Sequence, residues 1–597
     1  MSEETTADKP KPPIINCHTH IFTGSHVPPY LAKTILPGPF YKLVNLTFIF
    51  RIFHWWYSDK GPAIKKHLPE NKRKAERRYK IKMFLVRNHF WGTLVMLLGV
   101  VLFVHVFYIL WAWLSKLSNP GNAGIAKYIN RIHDWLCSNH LLLTLNNTLL
   151  DIALLIVFMI FFKSGRNLVF FILKKVWSFF GKLPGKQTTE VFKRYMTLGR
   201  FTFQKGQGSI LGEMERQYPG GTGFVILPMD MEYMDAGKVK EGYRLQMEAL
   251  AKLKDNPHNK IYPFVFADPR RIAAEPDYFT YTLSEGKVTL DNCFIKTFIE
   301  VKGFSGFKIY PALGYFPFDE LLLPLWKYAA DNGMPILTHC VRGPMYYRGS
   351  KKKDWDYHPV FDQAMGDDKY EKLLLPEIKN EEFTPNFTHP MNFLCLLEEQ
   401  FLRKWLHTII TKKPDSPLKQ IFGYSNEKEP LKYDLHHLKI CFGHFGGDDE
   451  WKRFFEQDRF GPSNQFIQNP YKGIDFLRTT KGEPSPGKPE QLWKFTDWYS
   501  IICSLMLQHP NVYADISYIL HNDVKILPLL KQTLQNTVLR KKVLFGTDFY
   551  VVRNQKSDKN MLADMMGGLS VEDFDVIARE NPVRFLNKIS TSSNIPE

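Results

Sequence analysis

Residues 91–114 read WGTLVMLLGVVLFVHVFYILWAWL, 24 residues with one histidine and no Lys, Arg, Asp or Glu. A bilayer span needs about 20 apolar residues, and Trp91, Trp111 and Trp113 stand near the ends of the run, where aromatic belts form. The segment is read as a membrane-spanning helix. A second apolar run, Ile152 to Phe162, is shorter. To span, it has to extend back over Asn146, Asn147 and Asp151 or forward past Lys163 and Arg166. Residues 166–180 (RNLVFFILKKVWSFF) resemble an interfacial continuation with Lys174 and Lys175 on one side. Residues 60–89 carry eleven Lys/Arg, residues 163–205 ten, and the connector 115–147 three. By the positive-inside rule both flanks are cytoplasmic and the connector lies outside. The expectation is a hairpin of two spans, about 91–114 and 145–165, in an inner or cytoplasmic membrane. The flanks hold 21 of the 78 basic residues, so the net charge of +18 is read as attraction to anionic lipid. No basic nucleic-acid-binding module is found, and no nucleic-acid partner is expected.

This insert interrupts a different pattern. A first strand-like run, Ile14 to His20, precedes it. Beyond residue 220 follow the candidate strands Gly223–Met229, Ile261–Ala267, Gly306–Tyr310, Pro335–Cys340, Leu438–His444, Val512–Ser517 and Val543–Thr547. Helical patterns lie among them, for example Phe318–Asp331 and Val571–Glu580. Eight strands alternating with helices predict an α/β chain folded as a (β/α)8 barrel of the TIM type. The organisation is a first strand at 14–20, a helical membrane insertion at 21–220, and the rest of the barrel at 221–597, with a long insertion at 341–437 between the fifth and sixth strands. Only 49 residues follow Asp548, which leaves no room for a β-sandwich built from the two termini. Seven cysteines make no disulfide framework and favour a reducing compartment. The polar start MSEETTADKPKPP has no apolar core and is not a signal peptide.

Candidate chemistry gathers at strand ends. His18 and His20 are spaced i, i+2, which on a strand puts both on one face, where two imidazoles could chelate one metal. His339 ends the fifth strand, His444 the sixth and Asp548 the eighth, at the barrel end where such enzymes place their reacting groups. Arg342 and Arg348 follow the fifth strand directly and are candidates to clamp an anionic substrate by bidentate contact. Cys17 and Cys340 are read as buried packing residues pointing away from the ligands, and His389-Pro390 as a helix start.

The phrases INCHTHIF, GFKIYPALGYFPFD, GMPILTHC, KICFGHFGG, NVYADIS, VLFGTDF and ENPVRFL run in order from residue 14 to residue 586. In this the sequence resembles the amidohydrolase superfamily, and more narrowly the amidohydrolase-related branch that includes aminocarboxymuconate semialdehyde decarboxylase. The resemblance covers the barrel and not residues 21–220. It implies one divalent ion, zinc by donor type with manganese or iron also suited, held by His18, His20, His339 and Asp548. It implies that Asp548 also accepts the proton of a metal-activated water, and that His444 orients that water or acts as acid/base. Lys308, at the end of the fourth strand, would bridge a second ion in two-metal relatives or else contact substrate. Asn16 stands where the family commonly has Asp, a supporting position.

The function expected is a membrane-anchored, metal-dependent hydrolase of a small-molecule amide, lactone or ester. The alternatives are a decarboxylase of the same branch and a non-catalytic membrane-bound barrel scaffold. A nuclease-type member is disfavoured because the fourth strand carries Lys308 rather than a glutamate. Connectivity adds one constraint: strand 14–20 must pair with strands beyond residue 220, so the chain crosses the membrane an even number of times and the barrel is cytoplasmic. The insert leaves directly after His20, at the metal end of the barrel, which points to membrane lipids as partners and to a lipid-derived or membrane-delivered substrate.

Overall fold

A computed structural model of the chain describes residues 11–31, most of 76–142, residues 151–155, and 206–587 with short interruptions. Two compact units are present, one of residues 1–54 with 191–597 and one of residues 55–190.

The first unit is built on eight parallel strands: β1 (Ile15–Thr19), β2 (Gly223–Ile226), β3 (Ile261–Phe266), β4 (Gly306–Ile309), β5 (Pro335–His339), β6 (Lys439–Gly443), β7 (Val512–Asp515) and β8 (Val543–Leu544). They pair in sequence order from β1 to β8. The ring closes through a parallel bridge between Thr19 and Phe549 and through the bonds Cys17 N to Phe545 O, 2.8 Å, and Asp548 N to His18 O, 2.9 Å. This is the (β/α)8 barrel expected from the alternation of strands and helices. Nearly every strand residue is buried, as parallel strands covered on both faces require, and runs such as IYPFVF and, after Lys439, ICFG are continuously uncharged and mostly apolar for that reason.

Two cores result. A large one joins the outer strand faces to the helices around them. A small one contains Ile15, Cys17, Val225, Phe264, Leu337, Cys441, Tyr513 and Leu544, one or two residues from seven of the strands, together with Leu227 and with Phe585 from the C-terminal helix Asn581–Leu586. Side chains from strands that are not neighbours can meet only inside the ring, so this cluster is the barrel interior.

Outside the ring, the described residues hold two antiparallel hairpins, Tyr281–Ser284 with Lys287–Leu290 and Tyr357–Ala364 with Tyr370–Leu374. Neither makes a sandwich domain. The second hairpin lies in the 341–437 insertion, together with the helix Glu399–Lys412. Phe22, Val27 and Leu31 after β1, and Ile210, Leu211 and Met214 from the helix Gln207–Glu215, belong to the large core. Both edges of the 21–220 stretch are thus part of the barrel unit.

In the second unit a 30-residue helix, His89–Ser118, is followed by Ile125–Ser138. Trp111 Nε1 donates to Asn130 Oδ1 at 3.0 Å, tying the two together. The span His89–Trp113 is long and apolar enough to cross a membrane, and it leaves Phe90, Met96, Leu97, Leu98 and Phe103 exposed. The second apolar run is helical over residues 151–155 and beyond that lies outside the described residues, as do the basic stretch 60–75 and residues 166–180.

Candidate metal centre

The histidines of β1 reach one place because the strand is irregular. Ile15 and Asn16 pair with Gly223 and Phe224, but Thr19 pairs with Ile226, so an extra residue is inserted between Asn16 and Thr19. Such a bulge re-aims side chains. Cys17 stays in the interior cluster and His18 turns to the top of the same interior. Strict alternation put Cys17 on the face away from the ligands; the bulge instead leaves it beneath them. Cys340, without a bulge, points outward into the large core as expected.

His18 is fully buried, and its Nδ1 lies 2.9 Å from Asp515 Oδ2. An ionised carboxylate only accepts, so Nδ1 carries the proton and Nε2 keeps a lone pair. That Nε2 is buried with no hydrogen-bond partner. His20 Nδ1 donates to the Leu227 carbonyl at 2.8 Å, which leaves its Nε2 bare as well. Both bare nitrogens face one carboxylate: Asp548 Oδ1 is 3.3 Å from His20 Nε2 and 3.8 Å from His18 Nε2. Lone pairs so close to a carboxylate repel unless a cation stands among them, and the three ligand atoms all lie within 4.8 Å of one another. Imidazole and carboxylate donors suit a divalent transition ion. These residues fit the ion that the sequence motifs imply.

His339 stands at the same cavity, its ring stacked on Tyr310 at 3.9 Å between centroids, with its buried Nε2 unpartnered. It is outside the two groups whose ligand atoms lie within 4.8 Å, which are His18, His20, Asp548 and His18, His444, Asp515. His444 is buried, with Nε2 3.0 Å from His339 Nδ1 and Nδ1 2.9 Å from Ser517 Oγ. Burial first, then the charge of neighbouring Lys308 among others, holds His18 well below the ordinary histidine range; burial likewise lowers His339 and His444. Burial thus favours the neutral ring in all three, the form that ligates metal.

The backbone is strained at this spot. Asp548 (φ 61°), His444 (φ 67°), Phe445 (φ 45°) and Tyr518 (φ 64°) are four of the seven described non-glycine residues with positive φ. Each such position costs about 1–3 kcal/mol and clusters at functional sites. Asn16 ties β1 to the end of β8: its Nδ2 donates to Tyr218 Oη (2.7 Å) and Thr547 Oγ1 (2.8 Å), and its Oδ1 accepts from His18 N and Thr547 N. Tyr218 and Thr547 both also donate to Asp558, whose carboxyl burial pushes up to about 6. A second carboxylate at position 16 would crowd that network, and the amide avoids it.

Lys308 is fully buried at the end of β4, its Nζ without a hydrogen bond, and burial lowers it to about 8 against the opposing pull of Asp515 and Asp548. It is not among the residues that line the cavity. Arg342 does line it, 3.8 Å from Glu450 and 5.6 Å from the Trp498 ring. Arg348 is buried over the Tyr346 ring at 3.7 Å and is not in the lining. His389 caps the turn Pro390–Phe393, as the helix-start reading requires. The cavity measures about 50 Å³. Beside the polar groups its walls are Phe22, Met229, Met231, Val341, Met345 and Val551.

Asp515 and Ser517 escaped assignment from sequence. The signal was present: Asp515 ends β7 in NVYADIS, the same strand-end position that singled out His339, His444 and Asp548.

No family model and no curated protein matches the chain. Solved structures similar to it include 5-carboxyvanillate decarboxylase from Novosphingobium aromaticivorans, in complex with manganese, at 12% identity and TM-score 0.30, covering 69% of this chain and 86% of that one. Another is 4-oxalomesaconate hydratase from Rhodopseudomonas palustris, at 12% and 0.30, covering 64% and 81%. A third is a zinc-bound amidohydrolase from Burkholderia multivorans, at 8% and 0.28, covering 65% and 91%.

Proposed function

We propose that the chain is a membrane-anchored, metal-dependent hydrolase acting on an ester, lactone or amide with a largely apolar body. The observation that carries this reading is the pair of bare imidazole nitrogens, the buried Nε2 of His18 and the Nε2 of His20 at the cavity wall, both aimed at Asp548. His339 would complete the ligand set from across the cavity. A divalent ion bound there would bring the pKa of a water to near 7. Asp548 would take the proton from that water on its carboxylate, and Arg342 at the cavity wall would hold an anionic group of the substrate. One ion suffices for this scheme. Lys308, buried and outside the lining, would serve as a fixed counter-charge to Asp515 and Asp548 rather than contact substrate.

The substrate reading takes support from the walls. Apart from the histidines and Asp548, the polar side chains in the lining are those of Tyr310, Tyr518 and Arg342. A sugar or nucleotide would find few partners there. Three flexible methionines can re-pack around an acyl or alkyl group. The apolar span His89–Trp113 supports anchoring, and the even number of crossings that β1 demands supports a second span near 145–165 with the barrel cytoplasmic. Membrane-delivered, lipid-like substrates follow from that placement. Arg342 would equally hold the carboxylate of a decarboxylase substrate.

The test is metal analysis of the purified chain, followed by a panel of esters, lactones, amides and carboxylates of graded chain length. About one zinc or manganese per chain and hydrolysis favouring longer apolar groups are expected. Release of CO2 without hydrolysis selects the decarboxylase, and a chain with neither metal nor turnover is a scaffold. For topology, an impermeant thiol reagent on intact cells should reach a cysteine placed near residue 122 and spare one near residue 480; the opposite pattern refutes two spans.

A further inference from the structure

We infer that His444 is a positioning residue rather than an acid/base group, and that Asp515 sets the metal-binding nitrogen of two histidines at once, His18 directly and His339 through Ser517 and His444. The inference rests on the metal reading above and assigns the three residues a role within it.

The hydrogen-bond inventory forces the direction of each bond. Asp515 is fully buried, and its carboxylate accepts from His444 N at 3.1 Å, Ser517 N at 3.0 Å, His18 Nδ1 at 2.9 Å and the Ser517 hydroxyl. A hydroxyl has one proton. Ser517 gives it to Asp515, so toward His444 Nδ1, 2.9 Å away, its oxygen can only accept. His444 therefore carries its proton on Nδ1 and accepts on Nε2. The group 3.0 Å from that Nε2 is His339 Nδ1, which must then be the donor. A neutral His339 with its proton on Nδ1 has a lone pair on Nε2, the buried atom that no protein group satisfies. The chain Asp515–Ser517–His444–His339 ends on a bare ligand nitrogen, just as the single bond Asp515–His18 does.

Both ring nitrogens of His444 are committed within this chain, so neither is left to exchange a proton with a water or a substrate in the cavity. The edge-on packing of His339 and His444, 74° between planes, and the stacking of His339 on Tyr310, 12°, hold the two rings in that relation. The close group His18, His444, Asp515 could be read instead as a second metal site. His18 Nδ1 already bonds Asp515 Oδ2 at 2.9 Å, the His444 backbone N–H donates to the same carboxylate at 3.1 Å, and the two His444 ring nitrogens are taken by Ser517 and His339, which accounts for the proximity without an ion.

Zinc affinity of the full chain, by competition with a chelator, tests the relay apart from turnover. Partners that orient a ligand are worth 10- to 100-fold in affinity. Ser517→Ala should weaken zinc by about that factor, and Ser517→Thr, which keeps the hydroxyl, should restore it to within about threefold. His444→Gln keeps one donor and one acceptor but cannot titrate. Once saturated with zinc, its turnover should fall by less than about tenfold, whereas loss of a general acid or base costs about 10²–10⁴. Unchanged zinc affinity in Ser517→Ala, a zinc-loaded His444→Gln slower by more than 100-fold, or two ions per native chain would each overturn the inference while leaving the metal reading intact. A native chain that takes up no divalent ion would refute both.

Discussion

Gly443, the last residue of β6, tests how closely the metal centre is packed. Its φ of −62° and ψ of 138° suit any residue, so alanine there brings no backbone strain. The added Cβ would lie 2.8 Å from the Thr338 carbonyl oxygen, 3.0 Å from His18 Cε1 and 3.3 Å from His18 Nδ1. Ordinary contact begins near 3.4 Å, so the imidazole has to retreat by about 0.4 Å, and the backbone oxygen leaves little room on the other side. Overpacking of this size costs about 1–3 kcal/mol of stability. The ring that retreats is the one whose Nδ1–Asp515 bond aims Nε2 at Asp548. Disturbing that partner should weaken metal binding about 10- to 100-fold, equivalent to about 1.4–2.7 kcal/mol. Zinc competition and a thermal melt of the metal-free chain measure the two effects separately. Gly212→Ala is the control, since its Cβ meets nothing within 4 Å and it lies in the helix Gln207–Glu215, where alanine is favoured. Zinc binding by Gly443→Ala within twofold of native, with an unchanged melt, would refute the packing of His18 described here.

Alanine at His18 or Asp548 should abolish both bound metal and activity; retention of about one ion per chain by either variant would contradict the ligand assignment. Arg271 is buried and grips Asp230 through both oxygens, at 2.6 and 3.0 Å. Arg271→Met strands a buried carboxylate and should cost about 3–5 kcal/mol in denaturant unfolding, and a loss under 1 kcal/mol would show that Asp230 finds another partner. Burial lowers His358, inside the 341–437 insertion, to about 3, with Nδ1 accepting from Val360 N and Phe361 N and Nε2 donating to Asn392. The unfolded chain then binds the extra proton below pH 6.5, so stability falls as pH falls, by about 2 kcal/mol at pH 5 from this residue; melts that are level between pH 7.5 and 5 would exclude a neutral His358.

Much of the site was legible because barrel strands report their ends. His339, His444 and Asp548 each close an apolar run, and the structure brings them to one cavity with His20, while the fully buried His18 reaches Asp548 at 3.8 Å. Arg342 and Arg348 looked equivalent in THCVRGPMYYRG, six residues apart. Only the fold separates them, turning one into the cavity and laying the other on Tyr346. Cys17 was assigned to the wrong face because alternation assumes an unbroken strand, and the bulge at Asn16–Thr19 depends on how β1 pairs with a strand more than 200 residues away.

The sequence by itself determined the number and order of the barrel strands, the strand-end positions of the candidate ligands and the presence of a span-length apolar helix. These are local properties, set by period, composition and length within one segment. Tertiary structure decided which nitrogen of each histidine is bare and which groups the His444 ring meets. A histidine's tautomer follows from the partner of its other nitrogen, and those partners, Asp515, Leu227 and Ser517, reach the rings only when the barrel has closed.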